Sequence, residues 1–300
     1  MQSSNPVFAR SDAFNGRSAN VYGNPTYPGS GPHAGYGQPA PGYTDPSTWR
    51  TGDGRGGPSQ QTDVDTRRIT IDSVVQKTAI TLVVLVVAAA ATWILTGDLT
   101  YEEDAARLNG LAIGGALIGF VLAMVNSFKR VISPALVLAY AVAEGVFIGG
   151  ISKILETAYN GVVPGAVLGT VAAFAGTLTA YKVLDIKVTD KFRKGVVAAM
   201  FGFVAVSMFD LVLSFFGSSF GFNGFGTLGL ISSVVGVVLG VLMLILDFDY
   251  VERAIAAGVP ERESWRAAFG LTVTIVWIYI EMLRILAILR SSDLHPRGWD

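Results

Sequence analysis

Thr78-Ala79-Ile80-Thr81-Leu82-Val83-Val84-Leu85-Val86-Val87-Ala88-Ala89-Ala90-Ala91-Thr92-Trp93-Ile94-Leu95-Thr96 is a run of nineteen residues without a charge. A helix rising about 1.5 Å per residue needs roughly 20 such residues to cross a hydrocarbon core about 30 Å thick. Working outward, six more stretches of similar length and character follow, at 108–128, 133–152, 162–181, 195–216, 227–246 and 267–289. None shows the alternation of a barrel strand, and backbone groups in lipid must be satisfied within the segment. The sequence therefore predicts an all-α integral membrane protein with seven transmembrane helices.

Composition agrees. Apolar residues make up 51% of the 300-residue chain and charged residues only 15%, against about 25% charged in an average soluble domain. Eleven of the 45 charges fall in residues 1–68, which also hold eight of the twelve prolines and eleven glycines. No apolar run there offsets the entropy of ordering, so 1–68 reads as a disordered Gly/Pro/Tyr-rich tail, a solvated linker or a docking segment for a cytoplasmic partner, ahead of a membrane domain at 69–300. The polar start Met1 to Asn5 predicts no cleavable signal peptide. With no cysteine the chain has no disulfide, thiolate metal site or cysteine nucleophile, and a net charge of −1 gives no reason to expect nucleic acid.

Lys and Arg in the connections set the orientation. With the N-terminus cytoplasmic, thirteen basic residues lie inside: Arg67, Arg68, Lys77, Lys129, Arg130, Lys182, Lys187, Lys191, Arg193, Lys194, Arg253, Arg262 and Arg266. Four lie outside: Arg107, Lys153, Arg290 and Arg297. The tail is expected in the cytoplasm and the C-terminus beyond the membrane. Glycines four apart, among them Gly145 and Gly149 and Gly236 and Gly240, predict close helix contacts, within the bundle or at a homodimer face.

Four residues charged at neutral pH remain inside the spans: Glu144, Asp210, Glu281 and Arg284. A charge near the bilayer centre is costly unless paired or hydrated, so these are the candidate functional residues. From the span boundaries, the three acids lie roughly 17 to 23 Å from the inner edge, in one layer. Glu281 and Arg284, three apart, share a helix face. One arginine leaves two acids to be balanced by protons or a cation, unless the group is a structural clamp or some acids are held neutral by burial. Asp247 and Asp249 stand at the predicted C-terminus of the sixth span, where the macrodipole disfavours acids; solvation or a cytoplasmic cation mouth would explain them.

Catalysis is not expected. His33 and His295 lie in the two tails, so no histidine-based triad or zinc-protease helix is available in the membrane. The seventh span has no lysine for retinal, Asp210 and Asp247 lack a Gly-x-Gly-Asp context, and no glycine-rich nucleotide loop with its lysine is present. No cofactor is expected.

Seven spans, Ala143-Glu144-Gly145-Val146-Phe147-Ile148-Gly149, Leu246-Asp247-Phe248-Asp249 and Ile278-Tyr279-Ile280-Glu281-Met282-Leu283-Arg284-Ile285-Leu286 resemble the Bax inhibitor-1 family over roughly 70–300. The long tail and the opening Asn5-Pro6-Val7-Phe8 resemble its bacterial YccA-like branch, as in actinobacterial members. The resemblance implies a central seventh helix wrapped by the other six. It also implies a pH-sensitive calcium leak, in which an acid on span six pairs with one on span seven. Residue by residue these would be Asp247 and Glu281, with glutamate where the family usually has aspartate. A linked basic residue at the inner end of span two would be Lys129 or Arg130.

The expectation is a proton-modulated, passive cation pathway in the plasma membrane, with calcium or protons as its ions. Asp247, Glu281, Lys129 and Arg130 would sense pH and gate, Glu144, Asp210 and Asp249 would line the path, and Arg284 would pair with an acid. Glu281 and Asp247 are the candidate calcium contacts, as carboxylates are hard oxygen ligands. The resemblance puts Asp247 beside Glu281; the depth arithmetic puts Glu144, Asp210 or Arg284 there. The alternative is a membrane interaction protein, modulating a membrane protease or another partner through residues 1–68, without transport.

Overall fold

The computed structural model describes residues 67–294. The expected tail, its docking role, both histidines and Arg297 lie outside the described residues, apart from Arg67 and Arg68. Seven helices follow one another: α1 (Ile71–Leu95), α2 (Glu102–Phe128), α3 (Pro134–Ala158), α4 (Val162–Val183), α5 (Asp190–Phe215), α6 (Thr227–Ala256) and α7 (Ser264–Leu294), the last entered by a 3₁₀ turn at Glu261–Glu263. All seven are long and apolar enough to cross a membrane, and large apolar side chains such as Val87, Leu117, Phe120, Leu168 and Phe201 face outward, each more than 60% exposed. Such a surface is stable against lipid, and the protein is a multi-pass membrane protein in contact with the bilayer.

The helices exceed the apolar runs because their first turns are polar. α1 starts at a Thr70 capping box with Ser73. α2 starts on Glu102, Glu103 and Asp104, acids that complement the positive end of the macrodipole. α6 runs ten residues past the predicted end at 246, to Ala256.

α7 is the central helix, packing on α1, α3, α4 and α6 and reaching α5 through the edge-on contact of Trp277 with Phe203, centroids 5.6 Å apart. Half of the apolar stretch of α3 and of α7 is buried, against 17% for α1 and α5, so the latter two are peripheral. α1 and α3 pack at backbone distance: a Cβ added to Gly145 would lie 2.4 Å from the Leu85 carbonyl oxygen, and one on Gly149 2.4 Å from that of Ala89. That glycine pair serves the bundle itself.

The end of the bundle rich in Lys and Arg is tied together by polar contacts. Ile69 N–H donates to Val259 O and Glu261 N–H to Arg67 O. Ser73 and Ser264 hydroxyls meet at 2.7 Å, and Lys77 pairs with Glu261 at 3.0 Å. Arg67 and Arg68 thus pair with the connection that leads into α7. Lys153, expected beyond the opposite end, is a buried residue within α3. It donates to Trp93 O at 2.7 Å, to Thr96 Oγ1 at 3.0 Å and to Gly97 O, satisfying carbonyls at the end of α1.

Candidate functional site

The extension of α6 changes the setting of its acids. Asp247 and Asp249 stand nine and seven residues before Ala256, inside the helix, and the macrodipole argument made for a C-terminus does not apply to them. Two residues apart on a helix, they point to different sides. Asp249 accepts from Arg193 Nη2 at 2.7 Å and from Arg253 Nε at 3.1 Å and Nη2. Two guanidiniums on one carboxylate make Asp249 a clamp between the start of α5 and the end of α6, where a cation path was expected.

Asp247 turns to α7 instead. Thr274 Oγ1 donates to its Oδ2 at 2.6 Å, and Gly270 leaves room for Oδ1, which would lie 3.5 Å from an added Cβ. Among the described residues no cationic side chain forms an ion pair with Asp247. A half-buried membrane acid with a hydroxyl as its hydrogen-bond partner has an unbalanced charge whenever it is ionised.

Seven residues further along α7, about 10 Å, lies Glu281. It is 6% exposed and packs over Gly236 of α6, where a Cβ would meet its Cδ at 2.7 Å. Its Oε2 is 3.8 Å from Arg284 Nη1 and makes no hydrogen bond, nor does Arg284 Nε; the Ser233 hydroxyl lies beside the Glu281 carboxylate. Arg284 Nη2 donates to the Phe222 carbonyl, to Gly224 O at 3.4 Å and to Ser232 Oγ at 3.2 Å.

Those carbonyls belong to the connection 217–226, which folds back into the bundle. Asp210 of α5 accepts from Phe220 N–H at 2.9 Å, Gly221 N–H at 3.3 Å and Asn223 N–H at 2.8 Å. Phe222 rests on Phe203, centroids 5.1 Å apart. Non-helical backbone at membrane depth persists only where protein or water satisfies it; here Asp210 takes the N–H groups and Arg284 the carbonyls. Sequence reasoning passed over this loop and over Thr274, Ser232 and Ser233. The available signal was Gly221-Phe222-Asn223-Gly224-Phe225-Gly226, an uncharged connection with glycine and phenylalanine in alternation.

Glu144 is elsewhere. On α3 it faces α2, with Oε2 2.7 Å from where a Cβ of Gly119 would sit, and no hydrogen bond or ion pair among the described residues joins it to Asp210, Asp247 or Glu281. Of the three acids expected in one layer, Asp210 and Glu281 both act on Arg284 and Glu144 stands apart. α5 begins at Asp190, so Asp210 lies twenty residues along it and five before Phe215, whereas Glu144 is only ten residues past Pro134. Nor do Asp247 and Glu281 pair: Leu244 and Ile278, both fully buried, pack in the core between α6 and α7. Lys129 and Arg130 have exposed side chains, and their backbone carbonyls accept from Arg266 Nη2 at 3.3 and 2.9 Å. No hydrogen bond or ion pair links either to Asp247 or Glu281.

A family model described as Bax inhibitor 1 like matches residues 5–291, a span that includes nearly all of the seven helices. The chain belongs to the Bax inhibitor-1 family. No curated protein matches it. In this Bax inhibitor-1 family chain, the acids of α6 and α7 thus stand at two separated levels. Among the described residues no group of three or more His, Cys, Asp or Glu is placed to hold a metal. A crevice of about 620 Å³ between α1 and α4 is apolar, its Ser152 and Tyr279 hydroxyls bonded to each other at 2.7 Å, and offers an ion nothing. The chemistry open to α6 and α7 is the exchange of a proton or hard cation at isolated carboxylates.

Proposed function

We propose that the protein is a passive, proton-modulated cation pathway of the plasma membrane, with calcium as its ion, and that it carries out no catalytic step. The observation that carries this reading is Asp247: a carboxylate in a membrane-crossing helix, at the basic end of the bundle, with a threonine hydroxyl as partner and no counter-cation among the described residues. Such a group is neutralised by a proton or attracts a cation, and the two compete. Acid closes the path by removing the charge; alkali restores it. Glu281 forms the second acidic level, and the packing of Leu244 and Ile278 between the two is the contact that must loosen for an ion to pass. The basic residues at the Arg67 end support a cytoplasmic setting for that end by the positive-inside rule, with the opposite end outside.

The test is calcium entry into dye-loaded proteoliposomes. Flux is expected to be greater at alkaline than at acidic pH, and Asp247→Asn and Glu281→Gln are each expected to flatten that dependence. Deleting residues 1–60 leaves it intact. No flux above that of empty vesicles, or unchanged flux and pH response in both variants, refutes the pathway. Loss of a co-purifying membrane protein on deletion of 1–60, without any flux, supports an adaptor instead.

A further inference from the structure

The guanidinium of Arg284 lies in a cradle of oxygen. Phe222 O, Gly224 O and Ser232 Oγ accept from its Nη2, and the Glu281 carboxylate stands 3.8 Å from Nη1. One buried acceptor, Glu281 Oε2, is left without a hydrogen bond, on a residue 6% exposed, and the Ser233 hydroxyl stands beside the same carboxylate. Asp210 adds its charge, but its oxygens are held by three backbone N–H groups. Backbone carbonyls from a non-helical segment, a hydroxyl and a carboxylate, gathered at membrane depth, are the ligand types that take hard cations.

We infer that this cradle is a cation site that the protein fills with its own side chain. Arg284 is a tethered cation: its positive charge satisfies the loop carbonyls and offsets Glu281, and while it is there no free ion takes its place among those oxygens. With Arg284 removed, two carboxylates, Glu281 and Asp210, are left uncompensated beside three neutral oxygen ligands. A small divalent hard cation balances them, and calcium is the ion the charge favours over sodium. The site shares Glu281 with the proposed path but is tested without any flux. It binds in a protein that conducts nothing, and its absence would leave the role of Asp247 standing.

The experiment is thermal unfolding of the full chain in detergent, wild type and Arg284→Met, in choline, sodium and calcium chloride at one ionic strength. The wild type is expected to unfold at one temperature in all three. Arg284→Met is expected to lose several degrees in choline and to regain them in calcium as the ion concentration rises, and the double variant Arg284→Met/Glu281→Gln is expected to lose that rescue. Rescue by sodium as well as calcium still supports the site and assigns it a broader choice of ion. The inference is overturned if Arg284→Met unfolds at the same temperature in all three salts, if the double variant is rescued as well as the single one, or if Arg284→Met is recovered folded in none of them.

Discussion

Gly229→Ala tests whether the 217–226 loop is held inside the bundle. A Cβ at Gly229 would lie 1.8 Å from the carbonyl oxygen and 2.7 Å from the carbonyl carbon of Gly224, where contacts under 3.0 Å are essentially never found, so the carbonyl must withdraw by at least about 1.2 Å. Both sides of the clash are backbone, and no side chain can turn away to relieve it. The Gly224 carbonyl is already 3.4 Å from Arg284 Nη2, so withdrawal ends that bond. It also disturbs Phe222 O two residues back, which accepts from Arg284 and from Ser232 Oγ, the latter at 2.6 Å. One or two bonds to a charged group at roughly 1.5 to 3 kcal/mol each, less about 1 kcal/mol that alanine gains over glycine in a helix, give a net loss of about 0.5 to 5 kcal/mol. Thermal unfolding in detergent should fall by about 1 to 20 °C. Hydrogen exchange at Phe220, Gly221 and Asn223, whose N–H groups Asp210 holds, should accelerate at the same time. Gly202→Ala, where an added Cβ meets nothing within 4 Å, is the control. Unchanged unfolding and unchanged exchange in Gly229→Ala refute the re-entrant loop.

Two further outcomes concern the packing of α1. Gly145→Ala and Gly149→Ala each drive a Cβ into a carbonyl oxygen of α1 at 2.4 Å, an overpacking worth about 1 to 3 kcal/mol. Both should unfold at lower temperature than Gly110→Ala, which meets nothing within 4 Å, and equal values for the three would refute the close α1–α3 contact. Lys153→Met leaves the acceptors of α1 that Lys153 serves without their donor and should cost about 3 kcal/mol in the same assay; a loss under about 0.5 kcal/mol would show that water replaces the ammonium.

Much of the fold was legible because the membrane imposes a length. Each apolar run had to be close to the thickness of the hydrocarbon core, and all seven were located from that requirement. Helix ends were less legible: the turns that begin α1, α2 and α5 and the residues that carry α6 from 247 to Ala256 are rich in polar and charged side chains, and hydropathy does not mark where a helix runs on past its apolar stretch. That error moved the site. With α5 started at residue 195 and α6 ended at 246, Asp210 fell level with Glu144, and Asp249 became a free acid at a helix terminus. The extra turns carry Arg193 and Arg253, and those two arginines neutralise Asp249.

The sequence by itself determined the seven membrane helices and singled out Glu144, Asp210, Glu281 and Arg284, because an apolar solvent makes each charge expensive wherever it stands; Asp247 was marked by its place at the end of the sixth apolar run and by the family resemblance. Their partners were decided only by the tertiary structure. Rotation about a helix axis and the path of a connection do not show in a hydropathy pattern, yet they turn Asp210 and Arg284 onto the 217–226 loop and Glu144 toward α2. They also set Asp247 against Thr274, two turns away from Glu281.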